Sequence, residues 1–128
     1  MLRLKLKSQH LNLRFKEWEE RQWCFNFALK NKKLQYCEEA MEILKRKYNK
    51  ISLKESEKGD IISFHGNNNK AHHYAIISKT NGFINGTYVH SKWGRCRVVK
   101  CKLLDIDKHY GENILVWRKK CLNYLSKT

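Results

Sequence analysis

The spacing of apolar residues predicts two helices in the first half of the chain. The shorter helix begins at Cys24 and runs to about Lys30, because Cys24, Phe27 and Ala28 fall at i, i+3 and i+4 on one face. The longer helix begins near Leu34, and acidic residues precede basic ones along it, which complements the helix dipole. Its apolar residues recur at helical spacing through Cys37, Ala40, Met41, Leu44, Tyr48 and Ile51.

From residue 61 onward, the pattern changes to short runs of β-branched and aromatic residues separated by turn residues. The predicted strands are 61–64, 73–78, 87–90, 96–101 and 114–118. Residues 2–6 alternate like an edge strand, 103–111 read as a loop or single helical turn, and 121–125 as a final strand or helix. Helices followed by strands predict an α+β fold, with the N-terminal helices packed on an antiparallel β-meander.

Composition adds a strong positive charge to this picture. The chain has 128 residues, which fits one domain over 1–128, and its 27 Lys and Arg against 12 Asp and Glu give a net charge of +15. Such a charge predicts a negative partner: nucleic acid, an anionic cell envelope or an acidic protein. Because the basic residues are spread along the chain, a generally cationic surface and a specific polyanion site both stay open.

The cysteines and the N-terminus indicate a compartment. Five cysteines, with no Cys-x-x-Cys pair, argue against a disulfide framework or a zinc ribbon and favour a reducing environment. No run resembles a signal peptide or is long enough to cross a bilayer. We therefore expect a protein without a membrane span that is cytoplasmic, or delivered without a classical signal peptide, and the chain could be a piece of a longer protein.

Three residues suggest a thiol catalyst. A cysteine that opens a helix feels the positive end of the dipole, which favours the nucleophilic thiolate and predicts a lowered pKa for Cys24. Amide cleavage also needs a histidine to transfer protons and a group to orient it. His73 and His90 lie in predicted strands, so we expect Cys24 to attack, His73 to act as base and then acid, and His90 to fix the tautomer of His73.

The order of these motifs is similar to that of a known family. Gly-Asp opens an apolar strand at 59–64, His-Tyr-Ala-Ile follows at 73–76 and Val-His-Ser at 89–91, after a cysteine at a helix start. This resembles the papain-like cysteine peptidases of the NlpC type, and Ser-Lys-Trp-Gly at 91–94 looks like a less characterised branch of them. The resemblance implies a papain-like fold with Cys24, His73 and His90 as the catalytic triad, and peptide-bond cleavage that in most members acts on bacterial cell walls.

The sequence therefore predicts a thiol-dependent amide hydrolase that uses no cofactor or metal. Its substrate would be a peptidoglycan stem or another peptide-like amide, and deamidation or acyl transfer could use the same acyl-enzyme. If the domain is an effector or toxin, an inhibitory or immunity protein is an expected partner.

Other interpretations of the same residues stay open. Cys24 could be a core thiol, His73 and His90 ordinary structural residues, and His72 the true base if the strand register is shifted by one. A basic nucleic-acid-binding protein or a histidine-based ribonuclease would use His72 or His73 with His90 and the positive charge. A catalytically silent relative and a zinc site are further alternatives, the zinc ligands being drawn from His65, His72, His73, Cys96 and Cys101.

Overall fold

The computed structural model describes residues 22–92, 97–106 and 111–121. The strand predicted at residues 2–6 and all but the first residue of the segment predicted at 121–125 lie outside this range. Within it, two helices and a six-stranded antiparallel sheet confirm the α+β class. No helix in the described part of the chain combines the length and the apolar character that crossing a membrane requires.

Both predicted helices are present. Helix α1 spans Cys24–Leu29 and ends at Lys30, which adopts a left-handed conformation with φ of 52°. Helix α2 spans Cys37–Lys47, with acidic residues in its first turn and basic residues in its last. The carboxylate of Glu39 accepts hydrogen bonds from the backbone N–H groups of Gln35 and Tyr36 at 2.7 and 2.8 Å. These bonds satisfy donors that a helix start leaves unpaired and so define where α2 begins.

The prediction that the second helix continues to Ile51 is wrong. Helix α2 ends at Lys47, and the chain passes directly into strand β1, Tyr48–Ile51. Tyr48 and Ile51 are three residues apart, which fits a helix face as well as a strand. The pairing of Tyr48 with Lys119 and of Ile51 with Val116, more than sixty residues later in the chain, selects the strand.

The remaining strands follow the predicted positions closely. They are β2 (Ile61–His65), β3 (Ala71–Lys79), β4 (Tyr88–Lys92), β5 (Val98–Lys102) and β6 (Asn113–Lys119). Their order in the sheet is β1-β6-β2-β3-β4-β5. Strands β2 to β5 form the predicted meander, whereas β6 returns to pair with β2 instead of β5. The single helical turn predicted within 103–111 is present as a 3₁₀ turn at Leu103–Asp105.

Alternation along the strands gives the sheet two distinct apolar faces. The helix face packs against α1 and α2 and includes Ile61, Tyr74 and Trp117. The opposite face includes Ile62, Phe64, Ala75, Val89 and Val116, and is covered by Leu103 and Ile106. The face on which a side chain lies therefore decides which candidate site residues can meet.

The Gly-Asp motif at the start of β2 has a clear structural role. Gly59 has a φ of 95°, a conformation that L residues with side chains rarely adopt. This turn brings the buried carboxylate of Asp60 against the N–H of Glu57 at 2.8 Å and against the guanidinium of Arg118 at 2.7 and 3.1 Å. The motif thus joins the start of β2 to β6, and the family pattern at this point has a structural explanation.

Candidate active site around Cys24 and His73

Cys24 is the first residue of α1, and it lies in the interior on the helix face. Its side chain is 8% exposed and packs with Phe25, Ala28 and Tyr74. Burial raises the pKa of Cys24 to about 12, while backbone hydrogen bonds from Tyr74, Phe25 and Cys24 itself oppose that rise. Cys24 thus packs against the residue that follows His73 in β3, while the imidazole of His73 lies against Phe64 on the other face of the sheet.

The expectation that the pKa of Cys24 falls is wrong. Helix α1 has only six residues, so its dipole is short, and the charged form of a buried thiol loses the solvation that water would provide. Desolvation is the largest influence on the thiol and outweighs the backbone donors. In the folded protein, Cys24 is therefore a neutral thiol at physiological pH.

This burial predicts a specific order of alkylation. At pH 8 we expect iodoacetamide to modify the exposed Cys121 first and Cys24 at least about 100-fold more slowly, because the thiolate is the reacting form. Peptide mass mapping after a timed quench measures both rates. In urea, where burial is removed, the two cysteines should react alike. Faster modification of Cys24 than of Cys121 in the folded protein would contradict the described burial.

His73 lies in β3 on the opposite face of the sheet. It is paired with Phe64, and the two ring centroids are 5.4 Å apart. Its Nε2 atom shares a 2.6 Å hydrogen bond with the hydroxyl oxygen of Ser91, in a fully buried setting. Burial lowers the pKa of His73 to about 4, so the imidazole is neutral at physiological pH and can accept a proton.

His90 does not make the contact that the sequence predicts for it. In β4, His90 pairs with Ile76, a residue of the helix face, whereas Ser91 pairs with Ala75, a residue of the opposite face. Neighbouring residues of a strand point to opposite faces, so Ser91 and not His90 shares a face with His73. The hydrogen bond expected from His90 is made by Ser91.

Ser91 is therefore the site residue that the sequence analysis missed. It stands in the Val-His-Ser motif at 89–91, next to His90. Histidine is the more common proton carrier, so the sequence favoured His90 for the role of orienting His73. The register of β3 against β4 decides between the two, since a shift of one residue would exchange their faces. The Trp93 and Gly94 positions of the Ser-Lys-Trp-Gly motif lie outside the described residues.

Asn26 is a second residue whose importance the sequence did not reveal. Its side chain is 2% exposed and makes three hydrogen bonds. The Oδ1 atom accepts from the N–H of Trp23 at 2.8 Å, and Nδ2 donates to the carbonyls of Asn31 and Leu34 at 2.9 and 2.8 Å. Asn26 thus fixes both the residue before Cys24 and the chain that leaves α1.

The positions of the other described histidines do not favour the alternatives that use them as catalytic or zinc-binding residues. His72 is exposed, beside a register shift between β2 and β3, while His73 is buried. His65 is bound through Nε2 to the hydroxyl of Ser63 at 2.7 Å and through Nδ1 to the carbonyl of Asn69 at 3.0 Å. Among the described side chains, no group of three His, Cys, Asp or Glu residues is arranged to hold a metal ion.

Comparison of the chain with protein-family models, with curated proteins and with solved structures gives no match. The chemistry that the protein performs must therefore be inferred from its own residues. The relevant arrangement is a buried thiol at a helix start, packed against the residue that follows a neutral histidine whose Nε2 is held by a serine.

Proposed function

We propose that this protein is a thiol-dependent amide hydrolase of papain-like, NlpC-type architecture that acts on peptide-like substrates such as peptidoglycan stems. The observation that supports it best is the position of Cys24 at the start of α1, where it packs against Tyr74, the residue after His73. A nucleophile and a base from separate segments are thereby brought to neighbouring backbone positions.

In this proposal Ser91 takes the orienting role. Its hydroxyl engages Nε2 of His73. Because His73 and Cys24 lie on opposite faces of the sheet, the proposed reaction requires a rearrangement of β3 against α1 that brings the imidazole to the Cys24 sulfur before a proton passes between them. A serine hydroxyl can donate or accept, so it suits a neutral imidazole, whereas a carboxylate would favour imidazolium. Ser91 is thus a positioning residue, and Cys24 and His73 are the catalytic residues.

The neutral state of both groups determines how the reaction begins. The thiol pKa is raised and the imidazole pKa is lowered by burial, and both changes disfavour a preformed thiolate–imidazolium pair. Proton transfer to His73 must therefore accompany the attack of sulfur on the carbonyl carbon. Since Cys24 and His73 are both buried, substrate binding has to displace covering side chains before the attack.

The remaining steps follow from the same residues. Attack forms a tetrahedral intermediate, and the N–H of Cys24, which has no partner within α1, is placed to donate to its oxyanion. His73 then gives its proton to the leaving amine as the C–N bond breaks, which leaves a thioester on Cys24. Water attacks the thioester, His73 takes a proton from that water, and the acid product leaves as the thiol is restored.

The pH dependence of activity tests this proposal. His73 acts only when neutral, so kcat/KM should fall as the pH drops through about 4 and stay level between pH 5 and pH 8. The measurement is amine release from a soluble stem peptide across this range. Ser91→Ala should lower kcat and shift the acid limb while it leaves KM unchanged, as expected for a positioning residue. An acid limb of the wild type near pH 6.5, the ordinary histidine value, would contradict the described site.

A further inference from the structure

A cavity that none of Cys24, His73 and Ser91 lines lies between α2, β1 and β6. It has a volume of about 560 Å³, within the range of small-molecule sites. The last half of α2, β1 and β6 enclose it, and Met41, Tyr48 and Trp117 supply an apolar lining. None of the residues placed above in the hydrolytic site lines this cavity.

The charges around this cavity are all positive. Lys45 from α2, Lys50 from β1 and Lys120 after β6 line it, and no Asp or Glu does. No hydrogen bond or ion pair among the described residues engages the side chains of Lys45 or Lys50, while Lys120 donates to the carbonyl of Arg46 at 3.2 Å. Ammonium groups around one concave surface attract an anion, because the charge is focused and no carboxylate neutralises it locally.

Neutral donors add to the lysines. Tyr48 and Asn113 also line the cavity, and no described hydrogen bond engages the hydroxyl of Tyr48 or the side-chain amide of Asn113. Burial raises the pKa of Tyr48, so its phenol stays protonated and can donate to an acceptor. The free donors around the cavity therefore outnumber what one carboxylate would use.

The buried polar groups beside the cavity, in contrast, already have hydrogen-bond partners. The indole N–H of Trp117 donates to the hydroxyl of Ser63 at 2.9 Å, and that hydroxyl also bonds His65. His65 is bound on its other nitrogen by the carbonyl of Asn69. Because these buried groups are paired with one another, they offer a ligand a rigid, largely apolar surface instead of competing for its polar end.

An adjoining cavity indicates where the negative end of a ligand would lie. Glu38 and Glu42 line that smaller space, which shares Met41, Lys45 and Asn69 with the first. Their carboxylates would repel an anion at that end of the cavity, and Asn113 lies there too, because it pairs with His65 beside Asn69. Lys50 and Lys120, toward the other end of β6, therefore form the preferred anion end.

We propose that this cavity binds a phosphate-bearing small molecule of mononucleotide size, with the phosphate at Lys50 and Lys120 and a planar apolar portion against Tyr48 and Trp117. A phosphate monoester offers nearly two negative charges and three acceptor oxygens, which matches more than one ammonium donor at once. This site is independent of the proposed hydrolytic chemistry and needs no reaction at Cys24.

Calorimetric titration with adenosine 5′-monophosphate tests the proposal. We expect saturable binding that is weaker by about tenfold or more for adenosine, which lacks the phosphate, and for inorganic phosphate, which lacks the apolar portion. The double variant Lys50→Gln/Lys120→Gln should lose about tenfold or more in affinity. Its matched control, Lys54→Gln/Lys58→Gln, removes the same charge from exposed residues outside the cavity and should bind like the wild type.

Two further variants keep the outcome decisive. Lys50→Glu places a carboxylate at an exposed position of the anion end and should weaken binding without loss of fold, as checked by thermal melting. Cys24→Ala should bind the nucleotide normally, so failure of the hydrolase proposal would leave this one standing. Absence of saturable binding at millimolar nucleotide, equal affinity for adenosine, or equal losses in the two double variants would overturn the proposed site.

Discussion

Replacement of Cys24 by alanine is expected to lower amide hydrolysis by about 10³-fold or more, because in the proposed mechanism the sulfur forms the acyl bond to the substrate. The measurement is the release of amine from a soluble stem peptide under saturating and limiting substrate. His73→Ala should cause a loss of similar size, since the buried thiol is neutral and cannot attack without a base. The double variant should be no worse than either single variant, as expected for residues that act as one unit.

The control for this experiment is Cys37→Ala. Cys37 is half-buried, packs against the same cluster as Cys24 and also has a pKa raised by burial. A loss of packing alone would therefore affect both variants, whereas loss of the nucleophile affects only Cys24→Ala. Full activity in Cys24→Ala, with its melting temperature unchanged, would end the hydrolase proposal.

Replacement of Asn26 by leucine is expected to destabilise the fold by about 3 kcal/mol, because three backbone groups lose a partner in or near the core. Leucine keeps the branched outline of asparagine but is larger, so overpacking adds to the loss of hydrogen bonds, and Asn26→Asp, which keeps the size, separates the two effects. Urea denaturation followed by fluorescence gives the free energy of unfolding. Asn26 holds the residue before Cys24. The activity of Asn26→Leu should therefore be lower than that of the wild type even at urea concentrations below its denaturation midpoint.

Two further variants serve as comparisons for the stability of Asn26→Leu. Asn26→Asp keeps an acceptor for the N–H of Trp23 but loses the donor to the carbonyls of Asn31 and Leu34, so we expect it to be destabilised as well. Asn67→Leu changes an exposed asparagine of the β2–β3 turn and should alter the free energy of unfolding by less than about 0.5 kcal/mol. If Asn26→Leu is no less stable than Asn67→Leu, the three hydrogen bonds do not fix α1 as described.

The elements of the fold that local sequence predicts are those whose signal lies within a few residues. The start of α1 at Cys24 and the body of α2 follow from apolar spacing, and β2 follows from a β-branched run after a turn. Strand β1 could not be predicted in this way, because Tyr48 and Ile51 fit a helix locally and only β6 selects the strand. The return of β6 to β2 is equally a long-range choice.

The site shows the same division between local and long-range information. Sequence order suggested that Cys24 and His73 are neighbours; Cys24 packs against Tyr74, the next residue of β3, but the imidazole of His73 lies on the opposite face of the sheet. Which residue supports His73 depends on the register of β3 and β4, which a motif does not contain. Burial of Cys24, and with it the direction of its pKa, depends on packing of α1 against the sheet and reverses the expectation from the helix dipole.

The most direct test of the proposed chemistry is to trap the acyl-enzyme. The protein is mixed with a soluble stem peptide, quenched in acid during turnover, digested and mapped by mass spectrometry. The proposal predicts the acyl mass on the peptide that carries Cys24 in the wild type, and more of it in Ser91→Ala if hydrolysis of the thioester slows. Turnover of the substrate with Cys24 unmodified, or with the acyl group on another residue, would contradict the central claim.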